Sequence, residues 1–191
     1  MTPAETLVRR PQRADARRNY DRLIEAARKS FTATGTETSL EAIAREAGVG
    51  IGTLYRHFPN RQALLEGVYL EEIQNLADSA ARLGELPPWE ALELWLRGFL
   101  GYAVTKRAIA MELMATLGKE SEFFQRCHTA IRESGGVLLT RAQDAGQVRT
   151  DLEFRDVLRL IGGISWAENV DPEQVDRMFT VVLDGLRHRP S

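Results

Sequence analysis

One cysteine, Cys127, and three scattered histidines, His57, His128 and His188, are all the thiol and imidazole groups in 191 residues. A lone cysteine excludes an internal disulfide, and histidines so far apart leave no metal cluster readable from spacing. No apolar run approaches the roughly 20 residues that span a bilayer. The opening MTPAETLVRRPQRADARR lacks the apolar segment of a signal peptide. The expectation is a cytoplasmic protein, not attached to a membrane, with no metal and no cofactor. Strand patterns, internal repeats and low-complexity tracts are also missing. What the chain has is a 43% hydrophobic content, enough to bury a core.

The formal net charge of −2 conceals an asymmetry. Residues 1–62 carry 11 Lys and Arg against 7 Asp and Glu, whereas the remainder carries 14 against 20. A basic head on an acidic body implies that only the head meets a polyanion. Residues 1–13, with Pro3, Pro11 and three arginines, read as a mobile basic arm in which Arg9, Arg10 and Arg13 are candidate groove or phosphate contacts.

From there the pattern is helical throughout. Tyr20, Leu23, Ile24, Ala27 and Phe31 form one apolar stripe on a helix from about Ala14 to Ala33, closed by Gly35. A second helix opens near Thr38 or Ser39, where Thr38 and Glu41 have capping-box spacing, and ends at Gly48. A third covers Ile51 to His57 and stops because Phe58 precedes Pro59, which disfavours the α region. Asn60 then caps a long fourth helix. After Pro87-Pro88 the spacing predicts helices from Trp89 to about Thr105, Arg107 to Leu117 and Glu120 to Ala145, the last with Gly135-Gly136 inside it. Two more follow, one capped by Asp151 and one opening on Asp171-Pro172.

The stretch GVGIGTLYRHFPNR, Gly48 to Arg61, concentrates the small and hydrogen-bonding residues. It is not a phosphate-binding glycine loop, because a helix precedes it and no Gly-Lys-Ser/Thr follows. It is not a catalytic site either: His57 has no Ser or Cys nucleophile near it in sequence, and Cys127 and His128 point about 100° apart on a helix. As two short helices around a glycine turn it makes a helix-turn-helix. Leu54 then faces inward, and Ile51, Gly52, Thr53, Tyr55, Arg56 and His57 face outward. Tyr55 and His57 can reach phosphates, and Thr53 or Ile51 can meet a thymine methyl. Phe58 is expected in the core and Tyr55 half exposed.

The segment TSLEAIAREAGVGIGTLYRHFPNRQALLEGVY, with Phe31-x-x-x-Gly35 before it, resembles the DNA-binding domain of the TetR family of bacterial repressors. The resemblance covers about residues 14–70 and rests on Ile43-Ala44, Gly48-Val49, Thr53-Leu54-Tyr55, His57-Phe58 and Arg61-x-x-Leu64. It departs at Glu41, Gly50 and Ile51, where many relatives carry Arg, Ser or Lys. It implies an all-α homodimer of about nine helices, with a three-helix helix-turn-helix domain at 14–60 and a ligand-binding and dimerisation domain at 61–191. It implies phosphate contacts from Thr38 or Ser39, Tyr55, His57 and Arg61, and base contacts from Ile51, Gly52, Thr53 and Tyr55.

The second half carries no comparable motif. Trp89, Trp95, Phe99, Tyr102, Met111, Met114 and Phe123 are candidates for the lining of an apolar ligand pocket, with Lys106, Arg107, Glu112 and His128 as its polar groups; ordinary core is the competing reading. Gly162-Gly163 inside a helix costs about 1 kcal/mol each, which close packing across a two-fold axis would offset. Ile161, Gly162, Ile164, Trp166, Phe179, Val182 and Leu186 are therefore the expected dimer interface. The function expected is a regulator, in the repressor sense, that binds a palindromic double-stranded DNA operator as a homodimer and leaves it when a small-molecule effector binds. The rivals are a small enzyme acting on an apolar substrate, for which the sequence supplies no nucleophile or acid–base pair, and a regulator of the same fold without a ligand.

Overall fold

The computed structural model describes residues 10–167 and 169–187, so Arg9 and His188 lie outside the described residues. Among these the chain forms nine helices: α1 (Ala14–Thr34), α2 (Leu40–Glu46), α3 (Ile51–His57), α4 (Arg61–Leu83), α5 (Pro88–Thr105), α6 (Arg107–Leu117), α7 (Glu122–Asp144), α8 (Phe154–Ser165) and α9 (Pro172–Leu186). The only extended pairing among the described residues is an isolated bridge between Val148 and Arg187. The fold is all-α, as expected.

The helix boundaries have local causes. Gly35 and Gly48 take positive φ values of 73° and 64°, which glycine adopts without a Cβ penalty, and so end α1 and carry the chain out of α2. Asn60 caps α4 by accepting from the Ala63 amide at 2.8 Å. Asp171 caps α9 in the same way through the Gln174 amide at 2.7 Å. Of the two residues expected to open α2, Ser39 is the cap, accepting from the Ala42 amide, so the Thr38–Glu41 spacing does not set it. One expected cap is corrected. At α8 the N-cap is Glu153, whose amide donates to Asp156 at 3.0 Å, while Asp151 is held by the Arg149 guanidinium at 2.6 Å.

The helices are shared between two compact units. The first holds the described residues up to Glu71 together with Ala108–Lys119; the second holds Glu72–Arg107 and the described residues from Glu120 onward. The first unit thus extends past the expected 14–60, taking in the first turns of α4 and most of α6. Its core joins Leu23, Ile24 and Phe31 of α1, Ile43 of α2, Leu54 of α3, Phe58 at the end of α3, Leu64, Leu65 and Val68 of α4, and Ile109 and Leu113 of α6. In the second unit α5 packs on α7 and α8, and α8 packs on α9.

Gly135 sits where that packing is tightest. A Cβ built there would lie 2.3 Å from Phe154 Cζ and 2.6 Å from Trp95 Cη2. This glycine inside α7 is what allows the Trp95 and Phe154 rings, 5.5 Å apart, to cross the helix. Cys127 is buried in the same helix, and burial pushes its thiol up to about 12.

Candidate nucleic-acid interface

The turn between α2 and α3 is built from the backbone outward. The Val49 amide donates to the Ala44 carbonyl at 3.0 Å and the Gly48 amide to the Arg45 carbonyl at 3.0 Å. These bonds satisfy the last carbonyls of α2 while the left-handed Gly48 reverses the chain. The Thr53 amide then closes onto Gly50 at 2.8 Å and starts α3. Leu54 is the one fully buried residue of α3, and it pins that helix to the core. The Phe58 amide ends the helix on the Leu54 carbonyl at 2.8 Å, and its ring lies 5.2 Å from Tyr20.

This arrangement presents Ile51, Gly52, Tyr55 and Arg56 outward, with Thr53 and His57 half-buried. Tyr55 keeps 45% of its surface exposed, against none for Phe58. The His57 ring stands edge-on to Tyr20 at 6.1 Å. Burial, and after it the charge of Arg56, holds the imidazole below its ordinary value of 6.5. Folding therefore favours neutral His57. The stability this contributes is present above the unfolded value and is lost as pH falls through the lower folded one. Urea unfolding followed above and below 6.5 is expected to show this loss in the wild type, and less of it in His57→Gln.

The remaining candidates divide. Ser39 is exposed at the start of α2, with its hydroxyl on the Ala42 amide. Thr38 is half-buried, its hydroxyl 2.6 Å from that of Thr34 and its carbonyl turned inward to Arg61. Arg61 is turned toward its own unit. Its Nη1 donates to the Thr38 carbonyl at 2.7 Å, its Nε to Glu112 of α6 at 3.3 Å, and its guanidinium lies 5.7 Å from the centre of the Phe31 ring. These three partners make it a tie between α6 and the α1–α2 turn. Arg61→Ala and Glu112→Ala are expected to lower the stability of this unit by about 1–2 kcal/mol each, and the double variant by less than their sum. DNA binding by Arg61→Ala should keep the wild-type salt slope. Urea titrations and a binding series in salt check both statements.

Arg10 is also paired within its own unit. It donates to Asp21 at 2.8 and 3.1 Å and lies 3.7 Å from Glu71. Arg13 is exposed at the start of α1. Arg45, and Arg56 although expected to face outward, were given no contact role by the sequence; both are exposed and neither is in an ion pair among the described residues. A signal was available for Arg56, since no acidic residue stands between Glu46 and Glu66.

The candidates for a ligand pocket do not form one set. Trp89, Trp95, Phe99, Tyr102 and Phe123 belong to the second unit, whereas Met111 and Met114 lie on α6 in the first, Met111 with 51% of its surface exposed. Trp95 and Phe123 are core residues, and the Trp95 indole N–H donates to the Leu76 carbonyl at 3.1 Å. Half-buried Trp89 donates to Glu93 and is covered by Arg187. Trp95, Phe99 and Tyr102 follow one another along a single face of α5, with successive ring centroids 5.9 and 6.2 Å apart, and Lys106 caps the helix just beyond them. Lys106 is buried at the end of that stripe, 3.1 Å from Glu72.

The expected dimer residues also divide. Ile161, Ile164, Phe179 and Leu186 are buried inside the chain and have no surface to offer a partner. Val182 and Gly162 are half-buried. Trp166 remains exposed, with Arg107 5.0 Å from its ring centre. The outward apolar residues of these helices are instead Leu160 and Val181, the latter with 71% of its surface open. Gly163 and Gly185 lie beside them with nothing within 4 Å of a built Cβ.

A short outward helix held by one buried leucine and a left-handed glycine turn, on an otherwise all-helical chain, defines a helix-turn-helix DNA-binding protein. A family model described as bacterial regulatory proteins of the tetR family matches residues 23–68, and one described as the C-terminal domain of SbtR-like transcriptional regulators matches residues 87–188. The chain belongs to the TetR family and is a DNA-binding transcriptional regulator. The solved TetR transcriptional regulator SCO0520 from Streptomyces coelicolor is 38% identical, with 90% of this chain and 99% of that one covered and a TM-score of 0.76. The TetR transcription regulatory protein from Mycobacterium vanbaalenii is 34% identical, with 93% and 99% covered and a TM-score of 0.69. The HTH-type transcriptional regulator UidR of Escherichia coli K12 is 25% identical over 177 residues, 85% of each chain. No helix among the described residues is long and apolar enough to cross a membrane.

Proposed function

We propose that the protein is a repressor that binds a palindromic operator as a homodimer, through two copies of α2 and α3, and releases it when a small molecule occupies the second unit. The observation that carries this reading is the outward face of α3, where Ile51, Gly52, Tyr55 and Arg56 stand clear of the core that Leu54 anchors and Thr53 is half-buried beside them. Ser39, Tyr55 and His57 are the phosphate contacts in this reading, and Ile51 and Thr53 meet thymine methyls.

The dimer face is revised to Leu160, Gly163, Val181 and Gly185, with Val182 and Trp166 at its margins. Glycines inside α8 and α9 weaken those helices by roughly 1 kcal/mol each, and nothing among the described residues requires them at 163 and 185. A second copy packed closely on the same face would. Release is a population shift: an effector that prefers a conformation with the two reading heads wrongly spaced weakens DNA binding by its differential affinity.

Light scattering on the eluting wild-type protein should give the dimer mass and Val181→Glu the monomer mass, with operator affinity falling as the dimer is lost. A monomeric wild type that binds a palindrome with full affinity overturns the dimer. The sensor role is tested by screening small molecules for a raised thermal midpoint, since a ligand bound only to the folded state stabilises it. Each hit should then lower operator affinity, and hits that stabilise without doing so contradict release.

A further inference from the structure

We propose that Arg56 reads a guanine in each half-site, and that Gly52 is the residue that lets it reach one. The inference rests on α3 being the element that enters the groove. Arg56 is exposed, and no carboxylate among the described residues pairs with it. The other outward residues of α3 are limited readers: Ile51 has no hydrogen-bonding group, Gly52 has no side chain, and Thr53 and Tyr55 have one hydroxyl each. His57 is half-buried against Tyr20. The guanidinium of Arg56 is thus the one group on this face with a fork of donors, and such a fork matches O6 and N7 of guanine together.

Reach is the second half of the argument. Residues four apart lie on one stripe of a helix, and side chains lean back toward its N-terminus, over the residue four earlier. For Arg56 that residue is Gly52. Gly52 is exposed, its φ is not in the left-handed region, and nothing lies within 4 Å of a Cβ built there. Neither backbone conformation nor packing among the described residues calls for a glycine, which weakens a helix. Its absent side chain leaves a clear path along which Arg56 lies down the reading face toward the first turn of α3. A larger residue at 52 would hold the guanidinium away from the groove floor.

The test is selection of random duplex DNA on the full-length wild type and on Arg56→Gln, Arg56→Ala, Gly52→Leu and Thr53→Ala. Arg56→Gln should convert a guanine preference to adenine at one position per half-site, because the Gln amide pairs with N6 and N7 of adenine. Arg56→Ala and Gly52→Leu should flatten the same position, each reducing its discrimination by about tenfold or more. An unchanged half-site in Arg56→Gln overturns the assignment, including the case in which affinity falls equally for all sequences, the behaviour of a phosphate contact. Thr53→Ala separates the two levels. If it alters preference while Arg56→Gln does not, only Arg56 was misassigned; if neither alters it, α3 is not the reading helix.

Discussion

Phe58→Ala is expected to abolish sequence-specific DNA binding without removing any group that faces DNA. The ring is wholly buried, packs on Tyr20, and sits where the chain leaves α3 for Pro59 and the Asn60 cap of α4. Gly67 on α4 is shaped around it: a Cβ there would come within 2.8 Å of Phe58 Cε1 and 3.2 Å of Ile24 Cδ1. Truncating a buried phenylalanine costs about 3–5 kcal/mol, from lost transfer energy and the cavity left behind. That is a large part of the 5–15 kcal/mol typical of a whole domain. Urea unfolding should show the loss, and operator binding should fail in step with it. Full operator affinity together with the predicted loss of stability would mean that the position of α3 does not depend on this ring.

Gly135→Ala should be the most damaging methyl-sized change in the second unit. The added carbon would fall within 2.7 Å of both Trp95 and Phe154. Neither ring can swing away freely, because the Trp95 indole is bonded to the Leu76 carbonyl and stacked on Phe99, and Phe154 opens α8. Overpacking of this kind costs about 1–3 kcal/mol, and two confined aromatic rings place it at the upper end. The adjacent Gly136 supplies the internal control. Its Cβ would lie 3.9 Å from Phe154, an ordinary contact, so Gly136→Ala should be neutral or stabilise α7 by up to about 1 kcal/mol. Thermal midpoints of the two variants moving in the same direction would contradict this reading of the α5–α7–α8 packing.

Those two glycines illustrate how far the sequence could be read. Signals internal to a helix were legible: Gly48 and Pro59 bracket α3, Asn60 and Asp171 cap α4 and α9, and the stripe from Tyr20 to Phe31 faces the core. Signals that depend on a distant partner were not. Gly135 is explained only by rings contributed from α5 and α8. Arg61 reads as a free cation until Glu112, 51 residues away, takes its Nε. In α8 and α9 apolar residues occupy more than one face, and periodicity alone does not say which face the chain buries. Ile161 and Phe179 turned inward, and Leu160 and Val181 outward. Arg56 had the opposite difficulty, since what sets it apart is that no carboxylate among the described residues pairs with it.

The most direct test of the account is selection of random duplex DNA on the purified full-length protein at two salt concentrations. An enriched palindrome whose half-sites persist at both, with affinity falling as salt rises, is the predicted result. Salt-sensitive binding that enriches no sequence would contradict it, and would leave the basic head as a polyanion surface with no operator to read.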